Sequence, residues 1–275
     1  MGGFYWIASY PKSGNTWMRL MLASLIDGAP PDFSKAIGFA GAVGSVTDMD
    51  LYLDVESSDL TPVEQAELRH DLALVTAAAA AKPQFRKVHD RWGHTPTGRP
   101  LFPPKVTLGS VYLVRDPRDV AVSWAHHSGL SLDASIAFLG QSGAVVAKSG
   151  RWKDQFEQRL DSWSCHVASW LEADPTPLLV AYERLSADPA GVLANVAAHC
   201  GIAASDAAVA GAVAATQFDR LRREEETHGF DLGQRRGRAF FRRGRAGGWR
   251  DTLSAAQADR IVQDHGPMMA RLGYI

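Results

Sequence analysis

Near its start, an apolar run gives way to a turn containing Pro and Gly, and then at once to a helical pattern. This order constrains the fold more than any other feature of the chain. Phe4–Ser9 reads as a short buried strand. Tyr10-Pro11-Lys12-Ser13-Gly14 interrupts both a ladder and a helix. From Asn15 onward, Trp17, Leu20, Met21 and Leu25 fall on one helical face. In such a strand–loop–helix unit the loop N–H groups point at whatever anion lies there, and the helix dipole adds to the attraction. Lys12 contributes a full positive charge, while Ser13 and Thr16 contribute hydroxyl donors. The loop is read as a phosphate cradle, although taken alone it leaves an ordinary strand-to-helix turn open. It is not the G-x-x-x-x-G-K-[ST] loop of NTPases, because Lys12 precedes Gly14.

The rest of the chain alternates in kind. Glu64–Ala81 is rich in Ala and Leu and favours helix. Further strands are expected at Phe85–His89, Ser110–Val114 and Leu178–Tyr182. Asp116 suits an N-cap, Pro117 the first helical position and Asp119 the first turn, so a helix is predicted from Pro117 to about His127. Trp152, Phe156, Leu160, Trp163, Val167 and Trp170 recur every three or four residues and predict one long core-facing helix. Helices are also expected over Ala208–Ala215 and, from a Ser254/Gln257 capping box, over Ala255–Leu272. The pattern predicts an α/β fold: a single domain, 1–275, with a P-loop-like central parallel β-sheet flanked by α-helices. Catalytic groups should gather beyond the carboxyl ends of its strands. Segments 130–149 and 222–248 fit no layer and are read as mobile. The second is acidic at Glu224, Glu225 and Glu226 and basic from Arg235 to Arg245, as a polar flap would be.

Composition removes several function classes. Lys and Arg number 29 against 30 Asp and Glu, a net charge of -1, so a polybasic nucleic-acid binder is not expected. The two cysteines, Cys165 and Cys200, cannot build a disulfide framework and lack metal-ligand spacing. No apolar run approaches the ~20 residues that span a bilayer. The N-terminus lacks the basic and apolar regions of a signal peptide. The expectation is a cytoplasmic protein with no membrane span, no metal and no nucleic-acid partner.

The order Pro11-Lys12-Ser13-Gly14-Asn15-Thr16-Trp17 resembles the 5'-phosphosulfate loop of sulfotransferases that use 3'-phosphoadenosine-5'-phosphosulfate (PAPS). A second family signature, an arginine leaving a strand and a serine eight residues later, is matched by Arg115 and Ser123. A third, basic and near the C-terminus, is matched by Phe241-Arg242-Arg243-Gly244 through Trp249, with Gly248 where the family carries Asp. Loss of that Asp removes a cap or ion pair and is expected to loosen the segment. Tyr182-Glu183 resembles the family's Tyr-Glu at the adenine. Thr216, Phe218 and Leu221 resemble its Thr-x-Phe-x-x-Met patch, Leu221 standing in for Met. Trp17 would stack on the base. Lys87-Val88-His89 resembles the family's Lys-Thr-His, whose histidine is the base.

The resemblance implies direct in-line transfer of a sulfuryl group from PAPS to a hydroxyl, or an amine, of a small-molecule acceptor, with PAP (the desulfated nucleotide) as product. Lys12 would serve the bridging oxygen of the leaving phosphate, Lys87 the sulfuryl oxygens, and His89 the acceptor proton. Ser123 and Arg115 would meet the 3'-phosphate, together with Phe241, Arg242, Arg243 and Gly244. Ser13, Gly14, Asn15, Thr16 and Trp17 would complete the donor site. Alternation along the strand puts Lys87 and His89 on one side. Asp90 is positioned to shift the pKa of His89, and His94, His126 and His127 are further candidates for the acceptor side. Phe39, Tyr52, Trp92 and Phe138 suggest a partly apolar acceptor. A P-loop nucleotide kinase and a catalytically silent PAP-binding protein are the alternatives. The displaced lysine argues against the first, and the joint presence of Lys12, Lys87 and His89 against the second. Relatives dimerise through a short segment of which Arg250–Ala255 and Asp259 are a faint echo, so the oligomeric state stays open.

Overall fold

A computed structural model describes residues 2–31, 41, 45–147, 155–228, 240–241 and 244–275. Its described strands are β1 (Phe4–Ser9), β2 (Gln84–Val88), β3 (Thr107–Val114), β4 (Val145–Val146), β5 (Gln158–Arg159) and β6 (Leu178–Ala181). The main sheet runs β2-β1-β3-β6. β1 and β2 are parallel, with Ile7 opposite Lys87 and Ala8 opposite Val88. β1 and the second half of β3 are buried almost throughout, as expected where both faces of a parallel sheet are covered. β4 and β5 form a small antiparallel pair of their own.

The helices used below are α1 (Asn15–Asp27), α2 (Val46–Leu53), α3 (Pro62–Ala79), α4 (Pro117–Ser128), α5 (Leu132–Gly140) and α6 (Trp163–Leu171). They continue with α7 (Tyr182–Ala187), α8 (Pro189–His199), α9 (Asp206–Ala215), α10 (Phe218–His228) and α11 (Ala255–Arg271). The predicted caps are in place. Asp116 accepts from the Arg118 N–H at the start of α4, and Ser254 with Gln257 forms a reciprocal capping box on α11.

The chain divides into two compact units, each built from three separate segments: 1–10, 40–112 and 142–177, then 11–39, 113–141 and 178–275. The first unit holds β1, β2, α2, α3 and α6. Its apolar centre includes Met49, Leu72 and Phe156. Trp92, Phe102, Trp170 and Tyr112 add an aromatic stack in which Trp92 lies 4.9 Å from Phe102 and Tyr112 lies 5.6 Å from Trp170. The second unit holds α1, α4, α5 and everything from β6 onward. Leu20, Ala23, Leu221 and Phe241 form a buried cluster in it, bordered by Trp17, Phe218 and Phe240.

Two expectations need correction. Of the long helix predicted through Trp152 and Trp170, the described part is helical only from Trp163, and Trp152 lies outside the described residues. Ser162 caps it by accepting from the Cys165 N–H, and Gln158–Arg159 is the extended strand β5. Phe156 and Leu160 are buried from an extended segment, so helical spacing arose without a helix. Tyr182 is the first residue of α7, where β6 has already ended. Much of segment 130–149 is the regular helix α5, capped by Ser131 and anchored by the Ser135 hydroxyl donating to the Ala121 carbonyl at 2.7 Å. The acidic start of segment 222–248 continues α10, with an Arg222–Glu226 ion pair one turn apart, while 229–239 and 242–243 lie outside the described residues.

Candidate functional site

In the second unit the loop after β1 takes two turns through left-handed backbone. Lys12 has φ 71° and Gly14 φ 99°. A non-glycine residue in that region costs on the order of 1–3 kcal/mol, a strain that recurs at functional sites. Gly14 is required twice over: its φ favours glycine, and a Cβ there would lie 2.8 Å from the Tyr182 ring. Gly14 is also the N-cap of α1, so that position supplies no side-chain cap, and the first turn contains no acid. By contrast, Ser45, Thr61, Asp116, Ser131, Ser162, Asp188, Ser205 and Ser254 cap α2–α6, α8, α9 and α11. The positive end of α1 suits an anion. The Ser13 hydroxyl is fully buried beside it and has no hydrogen-bond partner among the described residues. The Lys12 ammonium rests 4.2 Å from the Phe240 ring centre.

Arg115 leaves the end of β3 and ties this loop to other segments of the unit. It donates to the Lys12 carbonyl at 3.2 Å and to the Arg245 carbonyl at 3.1 Å. Its guanidinium lies 4.1 Å over the Tyr182 ring and 3.9 Å from the Asp119 carboxylate. Asp119 in turn accepts from the N–H groups of Gly247 at 2.6 Å and Trp249 at 2.9 Å. Arg118 forks onto Asp116, donates to the Tyr274 carbonyl at 2.8 Å and lies 4.1 Å over the Trp249 ring. Around Gly248, Asp119 holds the residues on both sides, and Arg245 pairs with Asp251. Neither Asp119 nor Arg118 stood out in the sequence as a site residue. The dense Asp-Pro-Arg-Asp run at the end of a strand was the available signal.

Ser123 sits two turns into α4 and is half-buried. Trp17 donates its indole N–H to the Thr216 carbonyl at 2.9 Å and meets the Tyr182 ring edge-on at 6.3 Å. Burial raises the Tyr182 pKa. The Thr216 hydroxyl is spent on the Ala212 carbonyl at 2.8 Å. Leu221 and Phe241 are core residues here, while Phe218 borders their cluster. Gly244, at φ 60°, packs against the Phe218 ring so closely that a Cβ would collide with it. Glu225 fixes Phe240 and Phe241 by accepting from their N–H groups at 2.5 and 2.9 Å. Arg242 and Arg243 lie outside the described residues.

The first unit contains a separate polar group around His89, which follows directly on β2. His89 Nδ1 lies 2.9 Å from the Ser9 carbonyl. A carbonyl only accepts, so Nδ1 carries a proton, and in the neutral ring Nε2 is then the basic nitrogen. The His89 carbonyl accepts from His166 Nε2 at 3.0 Å, and His166 Nδ1 lies 2.9 Å from the Tyr112 hydroxyl. Burial pushes the His166 pKa down to about 4, so its imidazole is neutral at pH 7. Asp90 was expected to act on the His89 imidazole. Its carboxylate is engaged instead by Arg69, at 3.0 and 2.5 Å, and by the Arg159 N–H at 2.9 Å. Lys87 is half-buried in β2, and its N–H donates to the Gly41 carbonyl at 3.1 Å. Two of the residues singled out for an acceptor wall are packed against rings: Trp92 on Phe102, and Phe138 on Trp124 at 5.2 Å. Tyr52 is exposed, and Phe39 lies outside the described residues. His94 is exposed, and His126 and His127 are half-buried near the end of α4.

The family model described as the sulfotransferase domain matches residues 5–273. The chain belongs to that family. Human sulfotransferase 2B1 is 25% identical over 96% of this chain, which spans 65% of that protein. Rat sulfotransferase 1A1 is 23% identical, over 96% of this chain and 83% of its own length. Among solved structures, retinol dehydratase in complex with androsterone and inactive cofactor PAP superposes with a TM-score of 0.65 at 20% identity, covering 97% of this chain and 80% of that one. Mouse sulfotransferase SULT7A1 complexed with PAP gives 0.60 at 21%, covering 97% and 84%. These likenesses show the same α/β fold.

Sulfotransferases of this family take the sulfuryl group from PAPS, and the residues present fit that donor. The positive end of α1 with glycine at its N-cap, the Ser13 hydroxyl, which has no partner among the described residues, and Lys12 suit a phosphosulfate. Among the described residues no group of His, Cys, Asp or Glu is placed to hold a metal ion, and no helix is long and apolar enough to cross a membrane.

Proposed function

We propose that this sulfotransferase domain passes the sulfuryl group of PAPS directly to the hydroxyl of a small, partly apolar acceptor, with His89 as the base. The single observation that carries the reading is the hydrogen bond from His89 Nδ1 to the Ser9 carbonyl, which leaves Nε2 as the proton acceptor. His89 takes the acceptor's hydroxyl proton as the new S–O bond forms. Lys12 meets the charge that grows on the phosphate oxygen when the old S–O bond breaks, and Lys87 steadies the sulfuryl oxygens. Ser13, Gly14 and the N–H groups of Asn15, Thr16 and Trp17 hold the 5'-phosphosulfate end. Arg115, Ser123 and the segment Arg242-Arg243-Gly244 hold the 3'-phosphate. Trp17, Tyr182, Thr216 and Phe218 surround the adenine, and Leu221 and Phe241 back them from the core.

Two solved neighbours are complexes with androsterone and with retinol, which supports a small, hydroxyl-bearing acceptor here. Both cysteines are free thiols, which suits the reducing cytoplasm. The test is a screen with sulfur-labelled PAPS across phenols, apolar alcohols and amines. Label is expected in hydroxyl-bearing small molecules. Transfer to none of these classes by folded protein that binds PAP would refute the acceptor assignment.

A further inference from the structure

His166 is wholly buried on α6, in the inward stripe made with Trp163, Val167 and Trp170. A polar ring in such a stripe is costly unless both nitrogens find partners. Both do. Nε2 donates to the His89 carbonyl, which fixes the proton on Nε2, and Nδ1 therefore accepts from the Tyr112 hydroxyl. The donors run in one direction: Tyr112 O–H to His166, His166 N–H to the His89 carbonyl, and His89 N–H to the Ser9 carbonyl. His166 and His89 hold opposite tautomers.

α6 grips the same stretch of main chain twice more. Trp170, one turn beyond His166, donates its indole N–H to the Asp90 carbonyl at 3.0 Å. The Ser169 hydroxyl accepts from the Trp92 N–H at 3.0 Å. His89 lies past the last residue of β2, beyond the paired register that ends at Val88. Its carbonyl is held by a side chain of α6, and with it the direction of its Cα–Cβ bond.

We propose that His166 is a positioning residue for His89: by holding the His89 carbonyl it keeps the Nδ1–H on Ser9 and Nε2 aimed for proton transfer. The proposal rests on the reading of His89 as base, so its test includes a signal independent of turnover. Nitrogen-15 NMR of the imidazoles reports the His89 tautomer directly, with the His89→Ala spectrum assigning the peak. In His166→Phe, the protected His89 Nδ1–H signal is expected to disappear. kcat should fall at least tenfold, with the PAP dissociation constant within about twofold of the parent. His166→Gln keeps an N–H donor for the carbonyl and should recover both the signal and most of kcat.

If His166→Phe does not fold, Tyr112→Phe and His166→Gln decide the matter. Tyr112→Phe, which leaves His166 Nδ1 without its donor, should broaden or shift the His89 signal and lower kcat by a smaller factor. An unchanged His89 spectrum and kcat in folded His166→Phe, or in Tyr112→Phe where that variant must stand in, overturns the proposal. If His89 turns out not to be the base, His89→Ala will retain turnover. The NMR comparison then still shows whether His166 sets the His89 tautomer.

Discussion

The guanidinium of Arg115 lies over the Tyr182 ring, 4.1 Å from its centre, while two of its N–H groups hold the Lys12 and Arg245 carbonyls. One planar cation thus joins the loop after β1, the start of α7 and the C-terminal basic segment. Lysine keeps the charge but cannot fork or stack in this way. Arg115→Lys is expected to weaken PAP binding by roughly tenfold or more, at about 1.4 kcal/mol per factor of ten. Calorimetric titration with PAP checks this, and an unchanged dissociation constant would contradict it.

Asp119 carries a comparable structural role from the other side. Its buried carboxylate accepts from Gly247 and Trp249. Asp119→Ala leaves both N–H groups unpaired and should cost about 2–4 kcal/mol of stability, near 1–2 for each lost charge-assisted bond. PAP affinity should fall with it. Urea unfolding of the two proteins measures the first, and equal midpoints and slopes would count against the anchor.

In the first unit, Arg69 and Asp90 form a forked ion pair with side chains only 3% and 1% exposed. Arg69→Met removes one partner and strands the other charge, which typically costs about 3–5 kcal/mol. The segment that carries His89 should loosen as a result, so faster amide exchange is expected at Asp90 and Arg91. Exchange rates equal to the parent's would show that the pair does not hold this segment.

Acid should destabilise the protein before its carboxylates titrate. Burial lowers the pKa of both His166 and His265 to about 4, against an ordinary value of 6.5. Below 6.5 the unfolded chain takes up protons that the folded chain refuses, so stability present near pH 7 declines as pH falls toward 4. From pH 7 to pH 5 each histidine contributes a loss on the order of 2 kcal/mol. Urea midpoints at the two pH values test the sign. A midpoint that rises on acidification would exclude neutral buried histidines as the controlling groups.

The parts legible in the sequence were those written locally. The run from Phe4 to Trp17 carries its own strand, turn and helix start, and Asp116-Pro117 and Ser254/Gln257 carry their own caps. Helical spacing misled at Phe156 and Leu160, because a burial period of about four residues also arises when an extended strand is followed by a turn. The Ser131 cap of α5 was present but lay among glycines that masked it. The grip of His166 on His89 spans 77 residues of chain and exists only once β2 and α6 are packed. No local pattern encodes it, although a histidine within an apolar helical stripe is a cue to look for two buried partners. The anchoring by Asp119 was hidden in the same way, since its partners lie 128 and 130 residues downstream.

The most direct measurement pairs calorimetry and turnover in His89→Ala. A PAP dissociation constant within about twofold of the parent is expected, together with a fall in sulfuryl transfer of at least about a hundredfold, the usual minimum for losing a general base. Transfer at the parent rate by that variant would contradict the account at its centre.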